Sequence, residues 1–283
     1  MKLTTIRYQG GETAAISIDE KIISVQIINR IENKRWSSNL LDISQKGQLD
    51  EIHDWYLHTG KDRLLDFPTI QGDYAPLYRN PAKILGVGMN YIEKAEELSV
   101  NPPEEAPIFF MKPSTSLIGP GESIQLTPLS KRVSAEAELG IIIKKKAKDI
   151  EESDFLDVIA GFTNTLDMTA QDIHAKNPRY LQFSKSFDSF FSFGPHLITV
   201  DEFSDLQNNT IETCLNQQVI HHNKIHRMIY SLPYIVSHFS KIMTLLPGDI
   251  IMTGTPGSTV ICDGDIAECR INGMPSLLNP VTK

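Results

Sequence analysis

Two glutamates and an aspartate are the residues of this chain whose types and spacing could do chemistry. Glu136 and Glu138 lie two positions apart in the apolar, β-branched stretch 133–143, and Asp167 follows about thirty residues later. Alternate residues of a strand point to the same face, so the pattern places both glutamates side by side. Neighbouring carboxylates in a buried element repel each other and lose hydration, and a divalent cation removes both costs.

A cluster of three carboxylates favours particular metals. Three carboxylates are hard oxygen ligands, which suit Mg²⁺, Mn²⁺ or Ca²⁺ better than Zn²⁺. The same spacing also fits a solvated strand face with two exposed glutamates. The spacing alone does not decide between a metal site and an exposed acidic strand.

Composition and charge exclude several classes of function. The chain has 283 residues with 27 Lys plus Arg and 35 Asp plus Glu, for a net charge of −8. This charge argues against a nucleic-acid partner or an anionic membrane surface. No window reaches 18 apolar residues, and the first residues lack the apolar core of a signal peptide. Three cysteines at no metal-ligand spacing favour a reducing compartment. We therefore expect a cytoplasmic protein with no membrane partner.

The elements that must position these residues fall into two parts. Residues 1–78 are expected to form a small α+β domain that ends in a Pro- and Gly-containing linker, and residues 79–283 a second, catalytic domain. In the first part, segments 14–18 and 21–28 are predicted to be strands. Residues 49–65 have the apolar spacing of a helix.

The second part consists of short β-rich runs separated by Gly and Pro, with few helices. This pattern predicts a β-rich α+β fold and not a doubly wound sheet. Strands are predicted at 84–88, 108–111, 123–126, 138–143, 190–192 and 249–252. Helices are predicted at about 92–98, 168–176 and 228–243.

Eight segments, in order and at matching spacing, resemble the fumarylacetoacetate hydrolase family. They are residues 88–91, 110–114, 136–139, 167–170, 185–190, 194–195, 246–251 and 254–257. The resemblance extends from about residue 83 to the C-terminus. The chain is similar to two-domain bacterial members such as 2-hydroxyhepta-2,4-diene-1,7-dioate isomerases and acylpyruvate hydrolases. The resemblance implies a mixed β-sandwich roll preceded by a small α+β domain, and a homodimer.

The resemblance also implies a metal-dependent enzyme. Carried over to this chain, Glu136, Glu138 and Asp167 would bind Mg²⁺, with Mn²⁺ or Ca²⁺ as alternatives. Family members act on small 2-oxo acids such as acylpyruvates or 2-oxo dicarboxylates. Through a metal-stabilised enolate they carry out C–C hydrolysis, decarboxylation, hydration or keto–enol isomerisation.

Further positions match the family's motifs. Lys185 matches a lysine beside the metal, where it would stabilise developing negative charge. Gly254 and Thr255 match a loop that contacts the substrate carboxylate. Lys112 and Asp188 match positions that we expect to support the site.

The segment after residue 91 departs from the family's pattern. Hydrolytic and decarboxylating members have a histidine there, followed three residues later by a glutamate, in a lid helix. Here the histidine is replaced by Lys94, and the glutamate is kept as Glu97. A lysine stays protonated near neutral pH unless its pKa falls by several units, so Lys94 is a poor general base. It is suited instead to bind a second carboxylate or to act as an acid in tautomerisation.

Other departures lie near the predicted site. Gln171 and His174 stand where relatives often have Arg and Gln, and both are expected to contact substrate. His174 is also a candidate to replace the missing base. Leu166, Gln217 and Ile225 differ from the family as well. These changes indicate an altered pocket.

Two local features allow more than one interpretation. His222 and His226, near His221, would share a face if helical, as in some zinc sites, although a loop is favoured. Residues 98–103 are predicted to end the lid helix in a loop that could close over a ligand.

The sequence thus predicts a family hydrolase, lyase or isomerase. Its predicted catalytic residues are Lys185, Lys94 and Glu97. The alternative is a non-catalytic or impaired 2-oxo acid binder, since the lid histidine is missing.

Overall fold

The computed structural model describes residues 1–97, 101, 105–203 and 205–283, and strands dominate it. The strands are β1 Lys2–Tyr8, β2 Gly11–Ile18, β3 Lys21–Ser24, β4 Ile84–Gly88, β5 Ile108–Lys112, β6 Leu117–Ile118, β7 Ile124–Gln125, β8 Val133–Ile143, β9 Ile159–Ala170, β10 Phe191–Ile198, β11 Thr210–Leu215, β12 Gln218–Lys224, β13 Ile250–Met252, β14 Ser258–Val260, β15 Ile266–Ile271 and β16 Leu277–Thr282.

The described α-helices are short, with at most 11 residues. They are α1 Val25–Glu32, α2 Leu40–Gln45, α3 Gln48–Trp55, α4 Lys61–Arg63, α5 Ile92–Glu97, α6 Phe155–Val158, α7 Gln171–Lys176, α8 Leu181–Lys185 and α9 Leu232–Ile242. A π-helical turn, Tyr56–Gly60, joins α3 to α4.

The strands form two mixed sheets. In the described part of the chain the larger sheet has 11 strands, with the order β3-β2-β1-β10-β9-β8-β13-β4-β5, while β14 pairs with β8 and β6 with β10. The smaller sheet has five described strands in the order β12-β11-β15-β16-β7. This architecture confirms the predicted β-rich α+β class.

The long hairpin of β8 and β9 is the centre of the molecule. Every residue of both strands is buried, because the larger sheet continues on either side and the smaller sheet packs against them. Apolar side chains such as Leu139, Ile141 and Phe162 join one core with Ile211 and Ile271 of the smaller sheet. The predicted strand at 133–143 is confirmed. Its acidic residues therefore lie inside the protein.

The N-terminal strands belong to the same large sheet. β1 pairs antiparallel with β10, with Lys2 opposite Ile198. The predicted strand at 21–28 is half wrong, because β3 ends at Ser24 and α1 begins at Val25. The Ser24 hydroxyl accepts a hydrogen bond from the Ile27 N–H at 3.3 Å, which caps the helix at its start. The division into domains at residues 78 and 79 stays a prediction.

Two other predicted helices begin later than expected. β9 continues to Ala170, so the helix predicted at 168–176 begins only at Gln171. The helix predicted at 228–243 begins at Leu232, after Ser231 has capped it through the Tyr234 N–H. In the helical segment 49–65, Leu49, Ile52, Trp55 and Leu64 are buried as the spacing predicted.

The loop predicted at 98–103 lies, except for Asn101, outside the described residues, and so it stays a prediction. In the described part of the chain, none of the helices has the length and apolar character needed to cross a membrane.

Candidate active site

Three buried carboxylates meet where β8 and β9 pair. Glu136 lies directly opposite Asp167 in the antiparallel ladder, and Glu138 follows two positions later on β8. Opposite residues and alternate residues of a sheet share a face, so the three side chains converge. Their exposed fractions are 5% for Glu136, 2% for Glu138 and 0% for Asp167. One oxygen of each lies within 4.8 Å of the others. The alternative of an exposed acidic strand is therefore wrong.

Three buried lysines neutralise this carboxylate triad. Lys185 Nζ lies 3.1 Å from Glu136 Oε2 and also hydrogen-bonds to Asp167 Oδ2. Lys94 Nζ lies 2.9 Å from Glu136 Oε1, on the other side of that carboxylate. Lys112 Nζ lies 2.6 Å from Asp167 Oδ1. Buried charges persist only when they are paired in this way.

The charges around the two glutamates shift their pKa values in opposite directions. Burial raises the pKa of Glu136, but the ammonium groups of Lys185 and Lys94 outweigh it and hold that pKa well below its usual range. Burial also raises the pKa of Glu138, and the negative charges of Asp167 and Glu136 raise it further, well above its usual range. Neighbouring carboxylates of one site thus differ in their affinity for a proton.

The pKa values of the three lysines also differ in direction. Burial lowers the pKa of Lys94 and of Lys185, but nearby carboxylates outweigh it, so both pKa values lie above the usual range. For Lys112 burial dominates and lowers the pKa to about 8. Lys94 and Lys185 are therefore firmly protonated at neutral pH.

Lys112 supports the site through several contacts. Besides Asp167, its Nζ lies 3.0 Å from the Met168 carbonyl oxygen, 3.0 Å from that of Lys185 and 2.6 Å from that of Phe190. These contacts tie β5 to the ends of β9 and α8. They hold Asp167 and Lys185 together in one place.

The loop between β13 and β14 closes one side of the site. The Gly254 N–H donates to Glu138 Oε2 at 2.6 Å. Gly254 has a φ of +99°, and a Cβ there would lie 2.6 Å from the Cβ of Asn90, so only glycine fits. The Thr255 hydroxyl donates to the Gly257 carbonyl at 2.9 Å. Gly254 thus contacts the triad and Thr255 follows it directly, while the role of both towards substrate stays a prediction.

Helix α5 lies over the triad and carries the predicted acid–base pair. Lys94 Nζ lies 2.9 Å from Glu97 Oε1 as well as 2.9 Å from Glu136. Glu97 accepts hydrogen bonds from the Ser258 N–H, at 3.0 Å, and from the Ser258 hydroxyl. The Gln171 amide donates to Ser258 Oγ at 2.9 Å. The structure therefore brings four residues from α5, α7 and β14 together.

His174 also approaches this group from α7. It is about half buried, and burial followed by the charge of Lys185 lowers its pKa. At neutral pH His174 is therefore uncharged. Whether it contacts substrate stays a prediction.

Several residues of the site were missed by sequence reasoning. Ser258 bonds Glu97, the Thr169 hydroxyl lies 3.4 Å from Glu136 Oε2, and the Thr213 hydroxyl accepts from the Ala137 N–H at 3.1 Å. Nothing in their local spacing marks them. Only Ser258, which directly follows the Gly-Thr-Pro-Gly turn, had a usable signal.

The histidine cluster does not form a metal site. His221 and His222 lie on strand β12, so the predicted loop is wrong there, and His226 lies in a 3₁₀ turn. His221 packs on the loop, because a Cβ on Gly257 would lie 2.4 Å from its Cγ. Within the described ranges, the Glu136, Glu138 and Asp167 triad is the one group whose donor atoms could together hold a metal.

The triad fits a divalent cation. Its donors are carboxylate oxygens, which are the ligands that hard cations prefer. Asp167 Oδ1 is buried and, among the described atoms, has no hydrogen bond, although it lies in the ion pair with Lys112. A buried carboxylate oxygen without a hydrogen bond, in a group of three carboxylates, is suited to a cation.

The sequence comparison identifies the family to which this fold and this site belong. Residues 83–282 match the family described as fumarylacetoacetate (FAA) hydrolase, C-terminal. The chain therefore belongs to the fumarylacetoacetate hydrolase family.

Three similar proteins illustrate the range of this family. An uncharacterized protein of Archaeoglobus fulgidus is 40% identical over 204 residues, which cover 72% of this chain and 80% of that protein. The mitochondrial oxaloacetate tautomerase Fahd2a of Rattus norvegicus is 34% identical over 215 residues, covering 73% of this chain and 68% of that protein. The structure of 5-carboxymethyl-2-hydroxymuconate delta-isomerase from Mycobacterium smegmatis is 27% identical, with a TM-score of 0.75, and covers 100% of this chain and 98% of that one. The predicted family and its enzymatic class are confirmed.

Proposed function

We propose that this protein is a keto–enol tautomerase of a small 2-oxo dicarboxylic acid such as oxaloacetate. The observation that carries the proposal is the position of Lys94, whose ammonium group lies 2.9 Å from Glu97 and 2.9 Å from Glu136. A protonated lysine beside a carboxylate can move a proton between two substrate atoms. It is a poor base for activating water, which hydrolysis requires.

Glu136, Glu138 and Asp167 are the residues that would hold the divalent cation, with Mg²⁺ proposed and Mn²⁺ or Ca²⁺ as alternatives. A bound cation of this kind would act as a Lewis acid towards the oxygens of a 2-oxo acid. The remaining chemistry belongs to the side chains around it.

The charges of the site favour an anionic substrate. The three carboxylates of the triad and that of Glu97 face the three ammonium groups of Lys94, Lys112 and Lys185, which leaves one negative charge. A divalent cation would make the site positive. A buried site stabilises a ligand of opposite charge strongly, because water does not screen the attraction. The name of the rat relative, an oxaloacetate tautomerase, supports the same substrate class.

The proton transfers can be assigned to Glu97 and Lys94. The C3–H bond of the keto acid breaks, its proton passes to the Glu97 carboxylate, and its electron pair forms the C2–C3 double bond. The carbonyl electron pair moves to the 2-oxygen, which takes a proton from the Lys94 ammonium group. The proton on Glu97 then returns to Lys94 along their 2.9 Å contact, which restores both groups.

Lys185 and the surrounding loops complete the proposed site. The Lys185 ammonium group, fixed between Glu136 and Asp167, stabilises negative charge on the substrate oxygens. Gly254 and Thr255 border the position of the substrate carboxylate. Gln171 and the uncharged His174 supply neutral polar contacts on the α7 side.

The test is a direct assay of tautomerisation. Oxaloacetate in its enol form is mixed with the protein and Mg²⁺, and the loss of enol absorbance is compared with the buffer rate and with the rate in EDTA. Proton NMR of the same mixture identifies the product. A metal-dependent acceleration supports the proposal if the keto and enol forms of oxaloacetate are the only organic compounds found in the mixture. Formation of pyruvate or of a cleavage product would replace tautomerisation with decarboxylation or hydrolysis.

Glu136→Gln should abolish the acceleration. Glu268→Gln is its matched control, because Glu268 is also buried and paired, with Arg270 on the other sheet. The competing function is the non-catalytic binder. Oxalate binding by calorimetry, without turnover of oxaloacetate or of a short acylpyruvate, would favour it.

A further inference from the structure

Ser258 connects the catalytic carboxylates to helix α5. It is the first residue of β14 and lies opposite Glu136 of β8 in the ladder. Its N–H donates to Glu97 Oε2 at 3.0 Å, and its hydroxyl donates to Glu97 Oε1. Both oxygens of Glu97 are therefore held by one residue. The Gln171 amide, 2.9 Å from Ser258 Oγ, fixes the direction of the hydroxyl.

Helix α5 depends on such a contact for its position. It has six residues, and a helix this short is not stable without tertiary contacts. Lys94 and Glu97 lie one turn apart on it, and the face opposite to theirs is exposed at Ile92 and Glu93. The pair of hydrogen bonds from Ser258 joins the end of this helix to the strand beside the triad. The place of Lys94 follows from that attachment, because Lys94 Nζ bonds Glu97 on one side and Glu136 on the other.

We propose that Ser258 is a positioning residue of the reaction: it clamps the Glu97 carboxylate and thereby sets the place of the Lys94 ammonium group over the triad. The proposal rests on the proposed function in so far as Lys94 and Glu97 move the protons. In this role Ser258 acts through Glu97 and Lys94. Its hydroxyl, and not only its backbone N–H, is required, since loss of the hydroxyl frees one Glu97 oxygen and leaves the Gln171 amide without its acceptor.

Kinetics separate positioning from substrate binding. In Ser258→Ala we expect kcat for enol–keto conversion to fall by about 10- to 100-fold, since small displacements of a catalytic group have effects of this size. KM should change by less than about threefold, because the groups that bind the carboxylates remain in place. Ser258→Thr keeps the hydroxyl and should restore most of kcat. Thr259→Val, the next residue of β14, is the control and should behave as the wild type.

A second measurement does not need activity. Trypsin cleaves after lysine, and Lys94 is 5% exposed in the intact site. Cleavage after Lys94, followed by mass spectrometry, should be at least tenfold faster in Ser258→Ala than in the wild type, Ser258→Thr or Thr259→Val. Cleavage needs the helix to leave its place, so its rate reports on the clamp.

The two measurements give distinct outcomes. Unchanged cleavage and unchanged kcat in Ser258→Ala would overturn the clamp. Faster cleavage with an unchanged kcat would also overturn it as a positioning device, leaving Ser258 a purely structural residue. If the wild-type protein has no tautomerase activity, the proposed function fails, and the cleavage rates still decide whether Ser258 holds helix α5.

Discussion

A lysine held between two carboxylates behaves differently from the histidine that the family's hydrolytic members place there. Histidine changes its protonation near neutral pH, whereas Lys94 keeps its proton because Glu136 and Glu97 more than offset the effect of burial on its pKa. A fixed cation can donate a proton to an oxygen that is gaining charge. In the proposed function, Lys94 is therefore an acid at the position where the family resemblance implies a histidine.

Lys94→Met should separate this role from simple ion pairing. We expect kcat for oxaloacetate tautomerisation to fall by about 100-fold or more, which is typical of losing a general acid. The control is Lys83→Met, since Lys83 Nζ forms another largely buried ion pair, 2.7 Å from Asp249 Oδ2. Steady-state kinetics on both folded variants is the measurement. Equal losses of kcat in the two variants would contradict a specific role for Lys94.

At the residue scale, the groups that the sequence predicts are those that depend on local spacing. Glu136 and Glu138 were predicted together because a strand has a period of two, and β8 places both in the site. The contact between Ser258 and Glu97 joins residues 161 positions apart in the chain. No local pattern encodes such a pair, so only the fold could disclose it.

At the element scale, the loop between β13 and β14 packs against strand β12. The His221 ring occupies the space beside Gly257, where a Cβ would lie 2.4 Å from Cγ. Thr213, opposite His221 in the hairpin, donates its hydroxyl to the Gly257 carbonyl at 2.9 Å. The smaller sheet thus fixes the loop that borders the triad.

Gly257→Ala should therefore destabilise the protein by about 1–3 kcal/mol, the usual cost of overpacking. The double variant Gly257→Ala/His221→Ala should recover part of this loss, because the added methyl group then has space. The free energy of unfolding in urea is the measurement. His222→Ala is the matched control, since His222 is exposed on the neighbouring position of β12, and it should give no recovery.

The element predictions succeeded where one local signal was strong. The apolar, β-branched run at 133–143 matched β8 at both ends. The error at 21–28 arose because Val25, Ile27 and Ile28 suit a strand as well as a helix, and the cap by Ser24 decided in favour of the helix. Similarly, β9 continues to Ala170 because it pairs with the whole of β8. Pairing of distant strands outweighed the local preference.

At the scale of the whole molecule, the join between β1 and β10 contains a buried histidine. His196 is 3% exposed, and within the described part of the chain neither ring nitrogen has a hydrogen-bond partner. Burial, and then the charge of Lys2, lowers its pKa to about 4. His196 is therefore neutral in the folded protein and protonated in the unfolded chain between about pH 4 and its ordinary pKa of 6.5.

The sign of the pH dependence follows from this difference. The unfolded state binds the extra proton, so the contribution of His196 to stability is constant above about pH 6.5 and falls as the pH decreases towards 4. The loss from this residue is on the order of 3 kcal/mol. Urea unfolding at several pH values should show a shallower decline in His196→Phe than in the wild type. Parallel declines in the two proteins would exclude His196 as the cause.

Divalent cations should stabilise the whole protein by mass action. At a Mg²⁺ concentration about 100 times Kd, the gain is about 2.7 kcal/mol, and EDTA should reverse it. Thermal unfolding with and without Mg²⁺ measures the gain. Glu138→Gln should remove the shift and Glu268→Gln should keep it. A shift that survives in Glu138→Gln would place the cation elsewhere.

The predicted homodimer is a separate question. Light scattering of the protein as it elutes from a size-exclusion column tests it.

The pairing of β1 with β10 also constrains the order in which the chain can fold. Lys2 lies opposite Ile198, so nearly 200 residues separate the partners. During synthesis the first strands must wait for most of the chain before their neighbour exists, and contacts between such distant residues form slowly. The hairpin of β1 and β2 therefore spends this interval with one edge open. We expect nascent chains shorter than about 200 residues to depend on chaperones, whereas the full-length chain closes that edge itself.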